Sequence, residues 1–404
     1  MQFIYSIIGI LLVLGIVYAI SFNRKSVSLS LIGKALIVQF IIALILVRIP
    51  LGQQVVSVVS TGVTKVINCG QAGLNFVFGS LADSGAKTGF IFAIQTLGNI
   101  VFLSALVSLL YYVGILGFVV KWIGKGVGKI MKSSEVESFV AVANMFLGQT
   151  DSPILVSKYL GRMTDSEIMV VLVSGMGSMS VSILGGYIAL GIPMEYLLIA
   201  STMVPIGSIL IAKILLPQTE PVQKIDDIKD DIKMDNKGNN ANVIDAIAEG
   251  ASTGAQMAFS IGASLIAFVG LVSLINMMLS GLGIRLEQIF SYVFAPFGFL
   301  MGFDHKNILL EGNLLGSKLI LNEFVSFQQL GHLIKSLDYR TALVATISLC
   351  GFANLSSLGI CVSGIAVLCP EKRGTLARLV FRAMIGGIAV SMLSAFIVGI
   401  VTLF

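Results

Sequence analysis

The sequence predicts an all-α integral membrane protein with eight transmembrane helices, two opposed re-entrant helical hairpins and inverted repeats. Three observations lead there. Apolar residues fill 56% of the 404 positions and charged residues only 12%, with a mean hydropathy of +0.96, whereas a soluble domain carries about a quarter charged residues. Uncharged stretches recur along the chain from Met1 onward, each long enough to cross a bilayer, which takes roughly 20 apolar residues. Finally, each half of the chain contains an apolar run broken by a polar phrase, as in transporters built from inverted repeats.

Taken in order, the first span lies near 3–20. No basic segment precedes it and no small-residue cleavage site precedes Asn23-Arg24-Lys25, so it reads as a retained helix rather than a signal peptide. A second span follows near 29–48. The stretch 52–80 mixes Gln, Ser, Thr and Gly with Val and Ile and is expected at a surface. After a third span near 89–117 come Lys121, Lys125, Lys129 and Lys132, whose spacing puts the lysines on one face of an interfacial amphipathic helix. The run at about 135–160 is interrupted by Gly148-Gln149-Thr150-Asp151-Ser152-Pro153. Spans near 166–190 and 194–216 follow, the first carrying a small-residue segment from Ser174 to Ser180.

Residues 217–241, rich in Asp, Lys and Asn, read as a solvated cytoplasmic linker. Beyond it lies a span near 253–281, then a run at about 306–332 interrupted by Leu321-Asn322-Glu323-Phe324. Spans near 341–366 and 378–403 complete the chain, the first of them holding Gly351 to Ser357. The two pairs of interruptions are offset by about 175 positions. Each broken run is long enough for a hairpin that enters and leaves on one side. Non-helical backbone at that depth survives only where protein or a water-filled cavity satisfies it. The chain thus divides into 1–88, 89–216, the linker 217–241 and 242–404.

Basic residues near 23–25, the four lysines after the third span, and Lys372, Arg373 and Arg378 favour a cytoplasmic side that leaves both termini outside. Arg48, Arg285, Lys335 and Arg340 fall on the opposite face. The net charge of +5 is no sign of nucleic-acid binding, because the basic residues sit at helix ends rather than on one face. Four cysteines, Cys69, Cys350, Cys361 and Cys369, show no metal spacing, and histidine occurs only as His305 and His332. Neither HExxH nor GxSxG nor a Cys–His pair is present, which argues against an enzyme. A channel would need a continuous polar pore or charged rings, whereas the polar groups here cluster in the broken motifs.

Of the 21 acidic residues, nearly all are expected in loops, segment ends or the linker, with Asp151 and Glu323 the exceptions. An ionisable group deep in a membrane protein is costly, so its presence points to function. Gln149, Thr150, Asp151, Glu323, Asn354 and Ser357 together offer carboxylates, amides and hydroxyls with no lysine or arginine among them. That set suits a neutral polyhydroxylated or heterocyclic solute and a small cation. It does not suit a phosphorylated or carboxylated substrate, which calls for basic groups or helix N-termini. Carboxylates accept from paired ribose hydroxyls, amides match a nucleobase edge, and Phe352 offers an apolar face to a ring.

The run GQTDSP, the segment GSMSVSILGGY, the phrase NVIDAIAEGAS at 242–252, and GSKLILNEF with CGFANLSSLGI resemble the concentrative nucleoside transporters over roughly residues 90–403. The resemblance implies a cation-coupled nucleoside importer of the bacterial inner membrane, a homotrimer of eight-span protomers. Each protomer would have a scaffold part, including residues 1–88, and a moving transport part. It places Gln149, Thr150 and Asp151 against the nucleobase, Glu323, Asn354 and Ser357 on the ribose, and Phe352 and Ile183 in the base pocket. The family's sodium site maps to the side chains of Asn144 and Ser178 and the carbonyls of Leu147 and Met179. The family usually has glutamate where this chain has Asp151, one methylene shorter, so a direct base contact could become water-bridged. A proton-coupled symporter and a polar-solute channel are the alternatives to sodium-coupled transport.

Overall fold

The computed structural model describes residues 1–221 and 240–404, so most of the expected linker, 217–241, lies outside the described residues. The chain runs through α1 (Gln2–Ala19), α2 (Leu29–Val47), α3 (Pro50–Phe78), α4 (Phe92–Gln95), α5 (Gly98–Tyr112) and α6 (Ile115–Met131). The first broken unit is α7 (Glu135–Ala143), α8 (Ser157–Leu160), α9 (Asp165–Gly177), α10 (Val181–Ala189) and α11 (Met194–Leu215). The second half holds α12 (Val243–Leu279), α13 (Leu286–Leu300), α14 (His305–Ile320), α15 (Glu323–Leu333), α16 (Tyr339–Leu349), α17 (Leu355–Leu368) and α18 (Arg373–Val401). No strand occurs among the described residues.

Seven helical stretches among the described residues are long and apolar enough to cross a membrane. The expected span at 341–366 is α16 and α17, helices of 11 and 14 residues joined by an extended break, as the span at 166–190 is α9 and α10. Such breaks have a cause in sequence. At α9 the chain leaves the helix at Ser178, with φ −101° and ψ 169°, and re-enters at Val181. At α16 it leaves at Cys350 and turns through Gly351 at φ +97°, a conformation that favours glycine. A Cβ at Gly351 would lie 2.8 Å from the carbonyl oxygen of Gly177, so the two breaks touch backbone to backbone.

The helices α14 to α17 open on Asp or Asn. Asp304, Asn322, Asp338 and Asn354 cap α14, α15, α16 and α17, each side chain accepting from the backbone N–H three residues on. This satisfies a donor that a helix start leaves unpaired. In the first repeat, Ser134 with Glu137 and Thr164 with Glu167 form reciprocal capping boxes.

The core is asymmetric. The stretch through α9 and α10 is 94% buried and α11 and α18 are 89% buried, whereas α1 and α2 are 22% buried and α12 has no buried share in its apolar window. The broken helices therefore sit inside a casing of α1, α2, α3, α5 and α12. The stretch 52–80 does reach the surface, with Phe76 92% exposed. It is nonetheless one helix of 29 residues, because Gly52, Val56, Ser60, Ile67, Gly70 and Leu74 bury a stripe along it. The lysine helix is α6, but Lys132 terminates it in a left-handed conformation, φ +53°, rather than continuing the face.

One element escaped the sequence reading, α13, which bends 119° into α14. Its place corresponds to that of α6 ahead of α7.

Candidate functional site

The two hairpins expected at 135–160 and 306–332 are α7–α8 and α14–α15. The first tip is non-helical from Asn144 to Asp151. Gly148 takes φ +86°, and a Cβ there would sit 3.0 Å from Cβ of Ser180 and 3.5 Å from the ring of Phe352. This tip is held by α17. Cys361 Sγ lies 3.2 Å from Oε1 of Gln149, and a Cβ on Gly364 would meet the Thr150 methyl at 3.6 Å. Thr150 donates its hydroxyl to Asp151 Oδ1 at 3.0 Å, and no cationic side chain among the described residues acts on Asp151.

The second tip places Glu323 at the first turn of α15. Its Oε1 accepts from the hydroxyl of Tyr187 at 3.1 Å and its Oε2 from Nδ2 of Asn354 at 3.2 Å. Asn354 spends its other face on the start of α17, its Oδ1 accepting from the Ser357 N–H at 3.0 Å and the Ser356 hydroxyl at 2.6 Å. Ser357 donates its hydroxyl to the Phe352 carbonyl, so it shapes the break as well as facing the site. The helix α17 thus touches both tips, Asn354 at its cap and Cys361 two turns on, about 10 Å apart at 1.5 Å rise per residue. That separation is on the scale of a nucleoside.

Tyr187 was not singled out from sequence. It is fully buried between Phe324 and Phe327, ring centroids 4.8 and 4.5 Å away, and Gly186 lets Phe324 approach within 3.0 Å of a would-be Cβ. Ile183, expected at the base pocket, is buried on α10. Tyr187 lies four residues on, hence on the same helix face, which was the available signal. The expectation that Asp151 and Glu323 are the exceptions among the acids is corrected at Glu311, which lies inside α14. Glu137 and Glu167 do lie at helix starts, though buried; Glu137, Glu167 and Glu311 are 1%, 4% and 1% exposed. The first two sit in capping boxes near Lys213, whose Nζ is 2.7 Å from Glu137. Glu311 accepts from the Ser348 hydroxyl at 2.6 Å. Helix-start acids can be buried when a cap and an ion pair satisfy them, and apolar runs alone conceal that.

Of the residues expected to hold the ion, Asn144 and Leu147 lie in the first tip and Ser178 and Met179 in the break between α9 and α10. Asn144 donates Nδ2 to Ser174 Oγ at 2.8 Å and accepts the Ser152 hydroxyl at 2.6 Å. Ser178 donates its hydroxyl to the Gly175 carbonyl at 3.2 Å, which turns its lone pairs free. Leu147 and Met179 are buried, and no hydrogen bond to either carbonyl is present among the described residues. Buried carbonyls are normally paired, so these two oxygens are free to take a ligand. This all-oxygen set fits a small hard cation. No group of three or more His, Cys, Asp or Glu suited to a metal occurs among the described residues.

Opposed re-entrant hairpins and two broken helices meeting at a buried polar centre define a multi-pass membrane carrier. Comparison with known proteins narrows the class. A family model described as "Na+ dependent nucleoside transporter C-terminus" matches residues 196–399, its N-terminal counterpart matches 8–81, and one described as "Nucleoside recognition" matches 93–194. Nucleoside permease NupC of Helicobacter pylori is 34% identical over 98% of this chain and 97% of its own length. Human solute carrier family 28 member 3 is 35% identical over 90% of this chain, which spans 55% of that longer protein. CNTnw, solved in an inward-facing substrate-bound state, superposes with a TM-score of 0.93 at 34% identity, covering 100% of this chain and 98% of that one. Outward-facing and intermediate states of CNTnw variants match with TM-scores of 0.93 and 0.92. The chain belongs to the sodium-dependent nucleoside transporter family, whose members are transporters and not enzymes.

Proposed function

We propose that this protein imports nucleosides by alternating access, coupled to sodium. The observation that carries this is Glu323, buried at the meeting point of α15, α10 and the break before α17, with Tyr187 and Asn354 both donating to it. A carboxylate presented with two side-chain donors can exchange them for the vicinal hydroxyls of a ribose. Glu323, Asn354 and Ser357 take the ribose. Gln149, Thr150 and Asp151 take the base edge, with Phe352 and Ile183 against the ring. Asp151, one methylene short of glutamate, reaches the base through water.

Sodium is held by Asn144 and Ser178 side chains and the Leu147 and Met179 carbonyls. Two features support sodium over a proton. The two carbonyls lack donors, and the side chains supply further oxygens. A ligand shifts an equilibrium only by its differential affinity for the two states, and the route for coupling is short. Phe352 donates its N–H to the Ser178 carbonyl at 3.3 Å, and Val181 donates to the Phe146 carbonyl at 2.9 Å. Ordering the first break by sodium thus orders the ring face for the base. The protein sits in the bacterial inner membrane as a homotrimer with both termini outside. The poorly buried α12 and α3 leave apolar surface for lipid and for neighbouring protomers.

Uridine uptake into vesicles, with and without sodium and with purine and pyrimidine competitors, tests the proposal. Saturable, sodium-dependent uptake is expected. Uptake that tracks a proton gradient and ignores sodium rejects sodium coupling, and non-saturable flux supports a channel instead.

A further inference from the structure

The second repeat contains a cation of its own. Lys318, on α14, is 2% exposed. Its Nζ donates to the carbonyls of Ser348 at 3.0 Å and Cys350 at 2.8 Å, and to the Ser391 hydroxyl at 3.1 Å. Those two carbonyls belong to the end of α16, where a helix leaves carbonyl oxygens without intrahelical partners. The arrangement parallels that of the first repeat: a hairpin, a broken helix and a set of oxygens between them. The register matches too. Asn144 is separated from Lys318 by 174 positions, and so is Ser174 from Ser348 and Gly177 from Gly351. Asn144 donates to Ser174, and Lys318 donates to Ser348. One pair pins the hairpin to the break through a neutral amide, the other through an ammonium.

We propose that Lys318 is a tethered cation that does permanently at the second break what bound sodium does transiently at the first. It draws the Ser348 and Cys350 carbonyls together and so sets the backbone from Gly351 to Asn354, which aims Asn354 at Glu323. Charge agrees with this assignment. Glu311 and Glu323 both interact electrostatically with Lys318, whereas no lysine or arginine acts on Asp151 at the other tip. The half with the built-in ammonium holds the ribose site ready. The half without one depends on an imported ion. Lys318 is therefore a positioning residue, acting on nucleoside through Asn354, and a single coupling ion suffices for a two-break machine.

This inference rests on the proposed nucleoside site, and the test separates the two. Purified protein in lipid vesicles is titrated with uridine and with sodium. If the wild type does not bind uridine in saturating sodium, the functional reading itself falls. In Lys318→Met, which fills the space without charge, half-saturation for uridine should rise about 10- to 100-fold, the loss expected for hydrogen bonds to a charged group. Lys318→Ala opens a pocket lined by the oxygens of Ser348, Cys350 and Ser391. There uridine binding should recover with high sodium or with added ethylammonium, and the Hill coefficient for sodium should rise by about one unit as a second ion site appears. A merely structural lysine predicts neither recovery nor the extra sodium dependence. Wild-type uridine affinity in Lys318→Met, or no recovery in Lys318→Ala, overturns the inference. Should both variants fail to insert, Ser391→Ala removes one acceptor mildly. A several-fold rise in half-saturation supports the tethered cation, and wild-type constants reject it.

Discussion

At the scale of single residues, Glu323 and Tyr187 divide the work of the pocket unequally. Glu323→Gln keeps the volume but turns an acceptor-only group into one that also donates, facing two donors. Uridine uptake should fall by at least about 100-fold while the protein remains folded and inserted, since charged hydrogen bonds are worth roughly 1.5–3 kcal/mol each and more than one is lost. Tyr187→Phe removes a donor that the ribose hydroxyls displace from the carboxylate, so half-saturation for uridine should stay level or fall, by up to about 10-fold. Uptake kinetics measured on both variants check the ranking. Asn144→Ala should weaken the sodium dependence several-fold before it affects nucleoside selectivity, because Asn144 touches Ser174 and Ser152 rather than the ribose site. A sodium titration of uridine uptake reads this directly. Glu323 was legible in the sequence because its phrase breaks an apolar run. Tyr187 and Lys318 were not, because a tyrosine or lysine within a helix gives no sign of what it meets across the interior.

At the scale of elements, the two breaks are the working parts, and their contact at Gly351 and Gly177 is the tightest constraint on them. Gly351→Ala puts a Cβ 2.8 Å from a carbonyl oxygen at a positive φ. Strain of this kind costs about 1–3 kcal/mol, so the variant should insert yet bind uridine about 10-fold more weakly, as isothermal titration would show. The breaks themselves were readable from small polar residues inside apolar runs. What hydropathy does not show is how short the resulting helices are, 11 and 14 residues for α16 and α17, since it averages across the break. The missing α13 has a similar explanation. Its aromatic run, Phe290 to Phe299 with Pro296 inside, lacks the length of a span. Only the repeat, which sets it opposite α6, would have revealed it.

At the scale of the whole molecule, stability and transport reside in different places. Lys213 and Glu137 form a buried pair between α11 and α7, with Lys213 also donating to Ser166 at 3.0 Å and Gln218 at 3.2 Å. Lys213→Met strands the Glu137 charge, which costs about 3–5 kcal/mol. Thermal unfolding in detergent should drop markedly while the uridine affinity of the protein that survives stays unchanged. The long arm α12 has a different consequence. Only Ala246, Gly250 and Gly254 bury it, a small-residue seam against Ser104 and Ser108 of α5. Its 37 residues extend about 55 Å against roughly 30 Å of hydrocarbon. Such an arm answers to bilayer thickness by tilting about that seam, so shorter or longer acyl chains would be felt first as a change in its slope and only then in the packing around the pocket.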